Sequence, residues 1–242
     1  MTELSLANLG ASVTELFGAN LGASVTGLFL AIFGAGTAQL RATEFAIVLG
    51  AYFLGAIPFG LLLGKIFGRK DVREAGSGNI GATNVARVAG PVAGIFTLLL
   101  DAAKGAAAVW LAGHLTGNSA TWMMIAGFCA LLGHCFPVWL RFRGGKGVAT
   151  GLGTWIALAP RGVLVMVIVF VIMVALFRYI SLGSITAAAI FPAAACLLHD
   201  YHETPAMLAF MTASSLLIIA KHHRNISRLL AGTENKFRSG RK

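Results

Sequence analysis

Three segments of the sequence combine cations, glycines and small polar side chains in patterns that could bind phosphate. The densest is residues 141–151, RFRGGKGVATG, in which Arg141, Arg143 and Lys146 are interleaved with four glycines. Glycine lets backbone N–H groups turn towards an oxyanion, and Lys and Arg supply the opposite charge. This segment predicts a phosphate pocket. A basic loop that merely turns the chain between two helices is the alternative, because such loops commonly carry Lys and Arg.

The second segment is residues 76–87, GSGNIGATNVAR, a Gly/Ser/Asn loop that ends at Arg87. Its GSGNIG start matches G-x-G-x-x-G, but a dinucleotide fingerprint requires a preceding strand, and here a charged turn follows an apolar run. What remains is a loop that can hydrogen-bond a polar substrate, or a simple turn. The Gly-Lys pair at 145–146 is not a Walker motif either, because Leu140 and Gly147 stand where glycine and Ser or Thr are required.

The third segment is residues 221–236, KHHRNISRLLAGTENK. On a helix, His222 and Asn225 share a face, whereas His223 points elsewhere. Histidine can accept a proton near neutral pH, and asparagine can orient a hydroxyl or carbonyl group. A basic amphipathic tail that lies on the membrane is the alternative interpretation.

Composition places these segments in an all-α integral membrane protein. The 242 residues are 57% hydrophobic and 12% charged, and the mean hydropathy is +0.80. A chain of this length has room for about seven transmembrane helices but not for a separate soluble domain. The net charge of +10 resides in loops between apolar runs, so anionic lipids and anionic substrates are predicted partners and nucleic acid is not. The three cysteines lack CxxC spacing and predict neither a disulfide framework nor a zinc site.

The order of apolar runs predicts the topology. Seven runs lie at about residues 45–67, 91–111, 121–140, 148–158, 162–177, 182–198 and 205–220. Pro58 interrupts the first, the fourth is short, and the second carries Asp101 and Lys104 on one helical face, where they can partly neutralise one another. Cations follow the odd-numbered runs, so the positive-inside rule predicts a periplasmic N-terminal side and a cytoplasmic C-terminus. The three polar segments then share the cytoplasmic side.

The chain divides into a Gly/Ala-rich lead, residues 1–43, and a polytopic membrane domain with a basic cytoplasmic tail, residues 44–242. The lead contains a tandem repeat, ANLGASVT, at 7–14 and again at 19–26. Two copies are too few for a solenoid. The lead could be disordered, lie on the membrane or span it weakly, and we assign it no chemistry.

Four motifs in this order resemble the bacterial acyl-phosphate:glycerol-3-phosphate acyltransferase family (PlsY). They are GSGNIGATNVAR, DAAKG, GHCFPVWLRFRGGKGVATGLG and HHRNISRLLAGTENK, and the likeness covers about residues 45–238. The resemblance implies a seven-helix enzyme of the bacterial inner membrane with its active site on the cytoplasmic side. It implies transfer of a fatty acyl group from acyl phosphate to the 1-position hydroxyl of sn-glycerol 3-phosphate, giving lysophosphatidic acid and inorganic phosphate in phospholipid biosynthesis. No cofactor or metal is implied.

The resemblance also implies roles for matching residues. The implied catalytic residues are Ser77, Arg87, His222 and Asn225. The implied substrate-binding residues are Asn79, Asn84, Lys104, Arg141, Arg143, Gly144, Gly145, Lys146 and Gly147. Glu234 is implied to be structural. Either His222 or the substrate phosphate could accept the hydroxyl proton.

Two other classes of membrane protein could use cations among apolar spans. A transporter for organic phosphates should place its site near the midplane and show repeated halves, whereas the only repeat here lies in the lead. A scaffold that holds anionic lipids would not require the Ser, Asn and Gly residues of the three segments.

Overall fold

The computed structural model describes residues 42–200 and 205–237, and every regular element in these two ranges is helical. The ten α-helices are α1 (Ala42–Ala56), α2 (Phe59–Gly68), α3 (Ala82–Ala89), α4 (Pro91–Leu115), α5 (Ala120–Cys135), α6 (Val148–Ile156), α7 (Pro160–Phe177), α8 (Ile180–Leu197), α9 (Pro205–Lys221) and α10 (His223–Leu230). A short 3-10 helix, Val138–Leu140, follows α5. The repeat of the predicted lead lies outside the described residues, as do 201–204 and 238–242.

Five helical units are long and apolar enough to cross a membrane. They are residues 42–68, 91–115, 120–140, 160–177 and 180–197. Helices α9 and α10 count as a sixth if they form one span, which is bent by 57° between them. The predicted run at 148–158 forms α6, whose nine residues cover only about 14 Å of a hydrocarbon layer about 30 Å thick. The described part of the chain is therefore an all-helical membrane protein with five or six apolar spans of full length.

Helix α4 lies at the centre of the bundle, where it contacts α1, α2, α3, α5 and α6. Its buried face consists largely of Gly, Ala and Thr, because small side chains let helix backbones approach closely where lipid provides no hydrophobic driving force. Gly105 lies against the backbone of Thr150 in α6, and Gly153 of α6 lies against Ala102. In contrast, α7 is mostly exposed and forms a hairpin with α8. That exposed apolar surface is suited to lipid.

The first span is broken where Pro58 predicts an interruption. Helix α1 ends at Ala56 and α2 begins at Phe59. Two side chains donate to carbonyl groups at this break: Trp139 Nε1 lies 2.9 Å from the Ala56 oxygen, and Lys104 Nζ lies 2.8 Å from the Ile57 oxygen. Protein donors are required here because the hydrocarbon layer contains no water to bond an open carbonyl.

The hairpin of α7 and α8 places Asp200 and the Arg178–Tyr179 turn at opposite ends of the bundle. At one end the Asp200 carboxylate accepts a hydrogen bond of 2.6 Å from the Gly162 N–H, in the first turn of α7. Arg161 donates to the Leu198 carbonyl nearby. Each helix has 18 residues and spans about 27 Å, so the Arg178–Tyr179 turn lies at the far end of the hairpin.

We expect the close contact between α1 and α5 to contribute to the stability of the protein. A methyl group on Gly55 would overlap the Ala130 backbone, whereas one on Gly50, in the same helix, has no neighbour within 4 Å. Gly55→Ala should lower the unfolding free energy in detergent by about 1–3 kcal/mol, because backbone must move to relieve the overlap. Gly50→Ala is the matched control and should be neutral or slightly stabilising. Equal stability of the two variants in a denaturant titration would contradict this packing.

Candidate active site

The three polar segments identified from the sequence meet at one cavity of about 150 Å³. Its walls come from residues 77–87, 146–149, 180–184 and 222–235, with further side chains from α4, α5 and α7. These stretches follow the apolar helices α2, α5, α7 and α9 respectively. Segments far apart in sequence therefore share one site because their preceding helices end at the same end of the bundle.

One buried asparagine organises the first of these walls. Asn84 is 2% exposed, and its Nδ2 donates to the carbonyls of Val72, Ala75 and Asn79 at 2.8, 3.1 and 2.9 Å. Its Oδ1 accepts the Ser77 N–H at 2.7 Å. These four bonds hold the turn before α3 in place and leave the side chain of Ser77 at the cavity. Asn84 thus shapes the wall that presents Ser77.

Asn79 has a similar local function. Its Oδ1 accepts the Gly81 N–H at 2.7 Å, immediately before α3 begins. Gly76 and Gly78 adopt φ angles of 63° and 69°, which favour glycine over other residues. The amide groups of Asn79 and Asn84 and the backbone freedom of the two glycines together form the tight turn.

Three helices begin at the cavity. Their first-turn residues in its wall are Ala82 and Thr83 of α3, Val148 and Ala149 of α6, and Ile180 and Ser181 of α8. The first N–H groups of a helix have no partner within the helix, and the helix dipole places partial positive charge there. Such helix starts are favourable sites for phosphate. Their convergence makes the cavity suited to an anion even before side-chain charges are counted.

Three cations add to this field: Arg87, Lys146 and Arg228 line the cavity. Burial lowers the pKa of Lys146 to about 8. The carboxylate of Glu234 opposes that shift, and the charges of Arg228 and Arg87 add to it. An anion that enters the cavity would therefore stabilise the charged form of Lys146.

Glu234 ties the C-terminal residues to the cavity. Its carboxylate accepts hydrogen bonds from Ser181 Oγ at 2.9 Å, Asn225 Nδ2 at 2.7 Å and Arg228 Nε at 2.7 Å. Partial burial raises the pKa of Glu234, but these donors outweigh it and hold the pKa below its ordinary value. We call residues 231–237 the closing segment.

The closing segment is also attached at its end. The Phe237 N–H donates to the Arg178 carbonyl, in the turn between α7 and α8, and Lys236 lies over the Tyr179 ring at 5.7 Å. Glu234 and Asn235 line the cavity. The segment therefore runs from α10 to the α7–α8 turn and forms one wall of the site.

The structure distinguishes the two adjacent histidines. His222 is 2% exposed and lines the cavity, whereas His223 is exposed and does not line it. His222 Nδ1 lies 2.8 Å from the Ile218 carbonyl, which can only accept, so Nδ1 carries a proton. In the neutral ring the lone pair is then on Nε2, and this nitrogen is the one able to accept a proton. Asn225 follows one helical turn later in the same wall.

Five of the predicted substrate-binding residues lie outside the cavity wall: Lys104, Arg141, Arg143, Gly144 and Gly145. Lys104 is buried beneath it, with its Nζ 2.7 Å from Asp101 Oδ1. Arg141 and Arg143 are exposed. The N–H groups of Gly144 and Gly145 donate to the carbonyls of Cys135 and His134, at 3.2 and 3.1 Å. Lys146 and Gly147 are the two residues of this loop that reach the cavity.

The wall also contains polar residues that sequence reasoning did not assign to the site: Asp101, His134, Ser181, Ser184 and Arg228. A signal was available for three of them. Ser181 and Ser184 are three apart at the start of a helix, and Arg228 is three residues after Asn225, so each pair shares a helical face. Leu98 and Phe170 add an apolar part to the wall. Across residues 42–200 and 205–237, no group of three or more His, Cys, Asp or Glu side chains is placed to hold a metal ion.

Comparison with known proteins identifies the family. Residues 45–232 match the family model described as glycerol-3-phosphate acyltransferase. A glycerol-3-phosphate acyltransferase of Mesorhizobium japonicum is 51% identical over 192 residues, covering 79% of this chain and 94% of the relative. That of Syntrophotalea carbinolica is 47% identical over 195 residues, covering 81% and 98%.

Two solved structures share the fold. The crystal structure of PlsY, an integral membrane glycerol 3-phosphate acyltransferase, in its glycerol 3-phosphate form is 38% identical, with a TM-score of 0.73 over 82% of this chain and 97% of that one. Its lysophosphatidic acid form has a TM-score of 0.72 at 36% identity, with the same coverage. The family match spans most of the sequence and contains every helix that forms the cavity. The chain therefore belongs to the glycerol-3-phosphate acyltransferase family.

Proposed function

We propose that this protein transfers a fatty acyl group from acyl phosphate to the 1-hydroxyl of sn-glycerol 3-phosphate, giving lysophosphatidic acid and inorganic phosphate. The observation that carries the proposal is the convergence of three cations and three helix starts on one cavity beside His222 and Asn225. Both proposed substrates carry a phosphate group, so a site for them requires more than one anion-binding wall. The two similar structures are a glycerol 3-phosphate form and a lysophosphatidic acid form of PlsY.

Acyl phosphate suits a cavity of this kind because it is already an activated anhydride. The hydroxyl oxygen of the acceptor attacks the acyl carbon, the bond between that carbon and the phosphate oxygen breaks, and phosphate leaves with the bonding electrons. The protein has to align the two substrates and stabilise the negative charge on the acyl oxygen and the leaving phosphate. Fixed cations and N–H groups supply this without a covalent intermediate.

We assign the two phosphates to two walls. Ser77, Arg87 and the start of α3 bind the acyl-phosphate group, and Lys146, Gly147 and the start of α6 bind glycerol 3-phosphate. The apolar Leu98 and Phe170 lead the acyl chain from the cavity towards lipid. Lys104 supports the donor side indirectly, through the buried ion pair with Asp101.

His222 is the proposed proton acceptor for the attacking hydroxyl, and Asn225 aligns the acceptor. Asn225 donates its amide N–H to Glu234, so its carbonyl oxygen is the group turned to other partners. The alternative is that substrate phosphate takes the proton, while His222 orients the hydroxyl and stabilises charge.

We further propose an inner-membrane location with the cavity on the cytoplasmic side and the N-terminal side of the domain in the periplasm. The connections at the cavity carry most of the cations, as the positive-inside rule requires of a cytoplasmic face. On this topology the chain crosses the membrane seven times. It must pass between the cavity at Gly147 and the Asp200 end of the hairpin, and it does so through the short, largely buried α6 and residues 157–159. Backbone outside a full helix is tolerated there because protein surrounds it.

The first test is acceptor-dependent turnover. The purified protein, supplied with acyl phosphate, should release inorganic phosphate and form lysophosphatidic acid only when glycerol 3-phosphate is present. The Arg87→Ala variant, if folded, should lose most of this release, since it removes a cation from the proposed donor wall. A well-folded wild-type preparation that releases no phosphate on addition of glycerol 3-phosphate would reject the acyltransferase proposal. Counterflow of phosphate in vesicles would favour transport instead.

The second test uses the lowered pKa of Lys146. The kcat/KM for glycerol 3-phosphate should fall above about pH 8, by up to about tenfold per pH unit, because the free enzyme then loses the charge on this residue. The substrate phosphate does not contribute, since its second pKa is near 6 and it stays dianionic. Lys146→Arg keeps the charge at all these pH values and should remove the fall. Superimposable profiles for the two proteins would assign the fall to another group.

The third test compares the neighbouring histidines. His222→Gln should lower kcat by about 10²–10⁴-fold, the range for removal of a general base, with little change in the KM for glycerol 3-phosphate. His223→Gln is the matched control, because that ring is exposed and lies outside the cavity, and it should retain wild-type kcat. Near-normal turnover by His222→Gln would leave substrate phosphate as the proton acceptor.

A further inference from the structure

The loop that carries Lys146 is anchored to the end of α5. We call residues 141–147 the basic loop. Gly144 and Gly145 donate their N–H groups to the carbonyls of Cys135 and His134, and Lys221 Nζ also reaches the Cys135 carbonyl, at 2.9 Å. These carbonyls belong to the last turn of α5, where carbonyl groups have no N–H donor within the helix. The basic loop thus folds back onto the helix that precedes it.

Gly145 lies directly against the imidazole of His134. The three atoms nearest to a methyl group at position 145 would all belong to this ring: Nε2, which it would overlap, Cε1 at 2.8 Å and Cδ2 at 3.1 Å. The φ angle of Gly145 lies outside the left-handed region. Glycine is therefore required at 145 by the space that the His134 ring occupies, and not by backbone conformation.

Gly144 provides a contrast within the same loop. A methyl group there would meet the His134 carbonyl oxygen, the Cys135 backbone and the Pro137 ring. None of these atoms belongs to the His134 side chain. Adjacent glycines therefore depend on different neighbours, one on a side chain and the other mainly on backbone.

The His134 ring also lies against the buried ion pair. The side chain is 4% exposed, and its Nδ1 lies 3.6 Å from Asp101 Oδ1, which is too long for a hydrogen bond. The same oxygen pairs with Lys104 at 2.7 Å. Both Asp101 and His134 contribute to the cavity wall. A continuous series of contacts therefore runs from the buried ion pair through the His134 ring to Gly145, and the next residue is Lys146.

We propose that His134 is a positioning residue for the acceptor substrate. Its ring fixes the position of the Gly145 backbone and so directs Lys146 towards the phosphate of glycerol 3-phosphate. The inference rests on the proposed function, which supplies the acceptor. On this view Gly144 and Gly145 do not contact substrate. They affect acceptor binding because they set the position of the basic loop. A shift of about 1 Å in a binding group is enough to change rates by about two orders of magnitude.

A double-mutant cycle between positions 145 and 134 tests the contact. Gly145→Ala alone should raise the KM for glycerol 3-phosphate by about tenfold or more and leave kcat within about threefold, because the new methyl group displaces the basic loop. In a His134→Ala background the ring is absent, and Gly145→Ala should raise the KM for glycerol 3-phosphate only slightly. The expected coupling is about tenfold, within the range of residues in contact. His134→Asn provides a second background should the alanine variant fail to fold.

Gly144→Ala is the control for the cycle. Its clash is with backbone and Pro137, so its cost should be the same with or without the His134 ring. The pH profile gives an independent measurement: in His134→Ala, the fall in kcat/KM that begins near pH 8 should move to higher pH, because a displaced Lys146 is less buried. A general loss of stability would not move this pH.

The readouts separate failure of this inference from failure of the proposed function. Besides KM, we would measure the rise in melting temperature that glycerol 3-phosphate produces in the detergent-solubilised protein, which requires binding but not turnover. Coupling in this rise would support the inference even for a protein inactive with acyl phosphate. Costs of Gly145→Ala that are equal in all three backgrounds, or that fall on kcat alone, would overturn it while the acyltransferase assignment stands.

Discussion

The structure depends on satisfying a lysine and an aspartate that lie inside a membrane helix. Lipid offers no partner for such charges, so protein groups must supply them. Lys104 finds two, the Asp101 carboxylate and the Ile57 carbonyl at the break of the first span. The break and the charged pair thus compensate one another: an open carbonyl in the membrane receives a strong donor, and a buried ammonium receives two acceptors. The same pair lies next to His134, at the buried side of the cavity. Breaking it would leave an unpaired charge inside the protein, which is strongly destabilising.

The cavity above this ion pair combines helix starts with charged side chains. The starts of α3, α6 and α8 lie at one cavity, and the cations Arg87, Lys146 and Arg228 add positive charge to that of the helix dipoles. This arrangement suits substrates whose shared feature is phosphate. The tight turn before α3 explains why that segment is rich in Gly and Asn. In the proposed reaction few specialised side chains are required, and His222 and Asn225 line the same cavity.

Much of this was accessible from the sequence because it rests on local signals. Apolar runs predict the long helices, Pro58 predicts the break, and the four ordered motifs indicate the family and the segments that form the cavity. The sequence did not reveal how side chains divide between wall and support. Gly144 and Gly145 have the composition of a phosphate loop, yet their N–H groups donate to carbonyls of α5. Asn84 likewise uses its amide group to hold the turn that carries Ser77. Ser181 and Ser184 join the site only through the placement of α8, a long-range property that spacing within one segment cannot disclose.

The closing segment has a consequence for how the protein is made. Glu234 binds Ser181 from α8 together with Asn225 and Arg228 from α10, and Phe237 attaches to the α7–α8 turn. These residues follow every membrane helix of the described chain, so they are synthesised after those helices. The wall of the cavity is therefore completed last. A chain whose helices are in the bilayer but whose closing segment is not yet attached would hold a cavity that is open on one side.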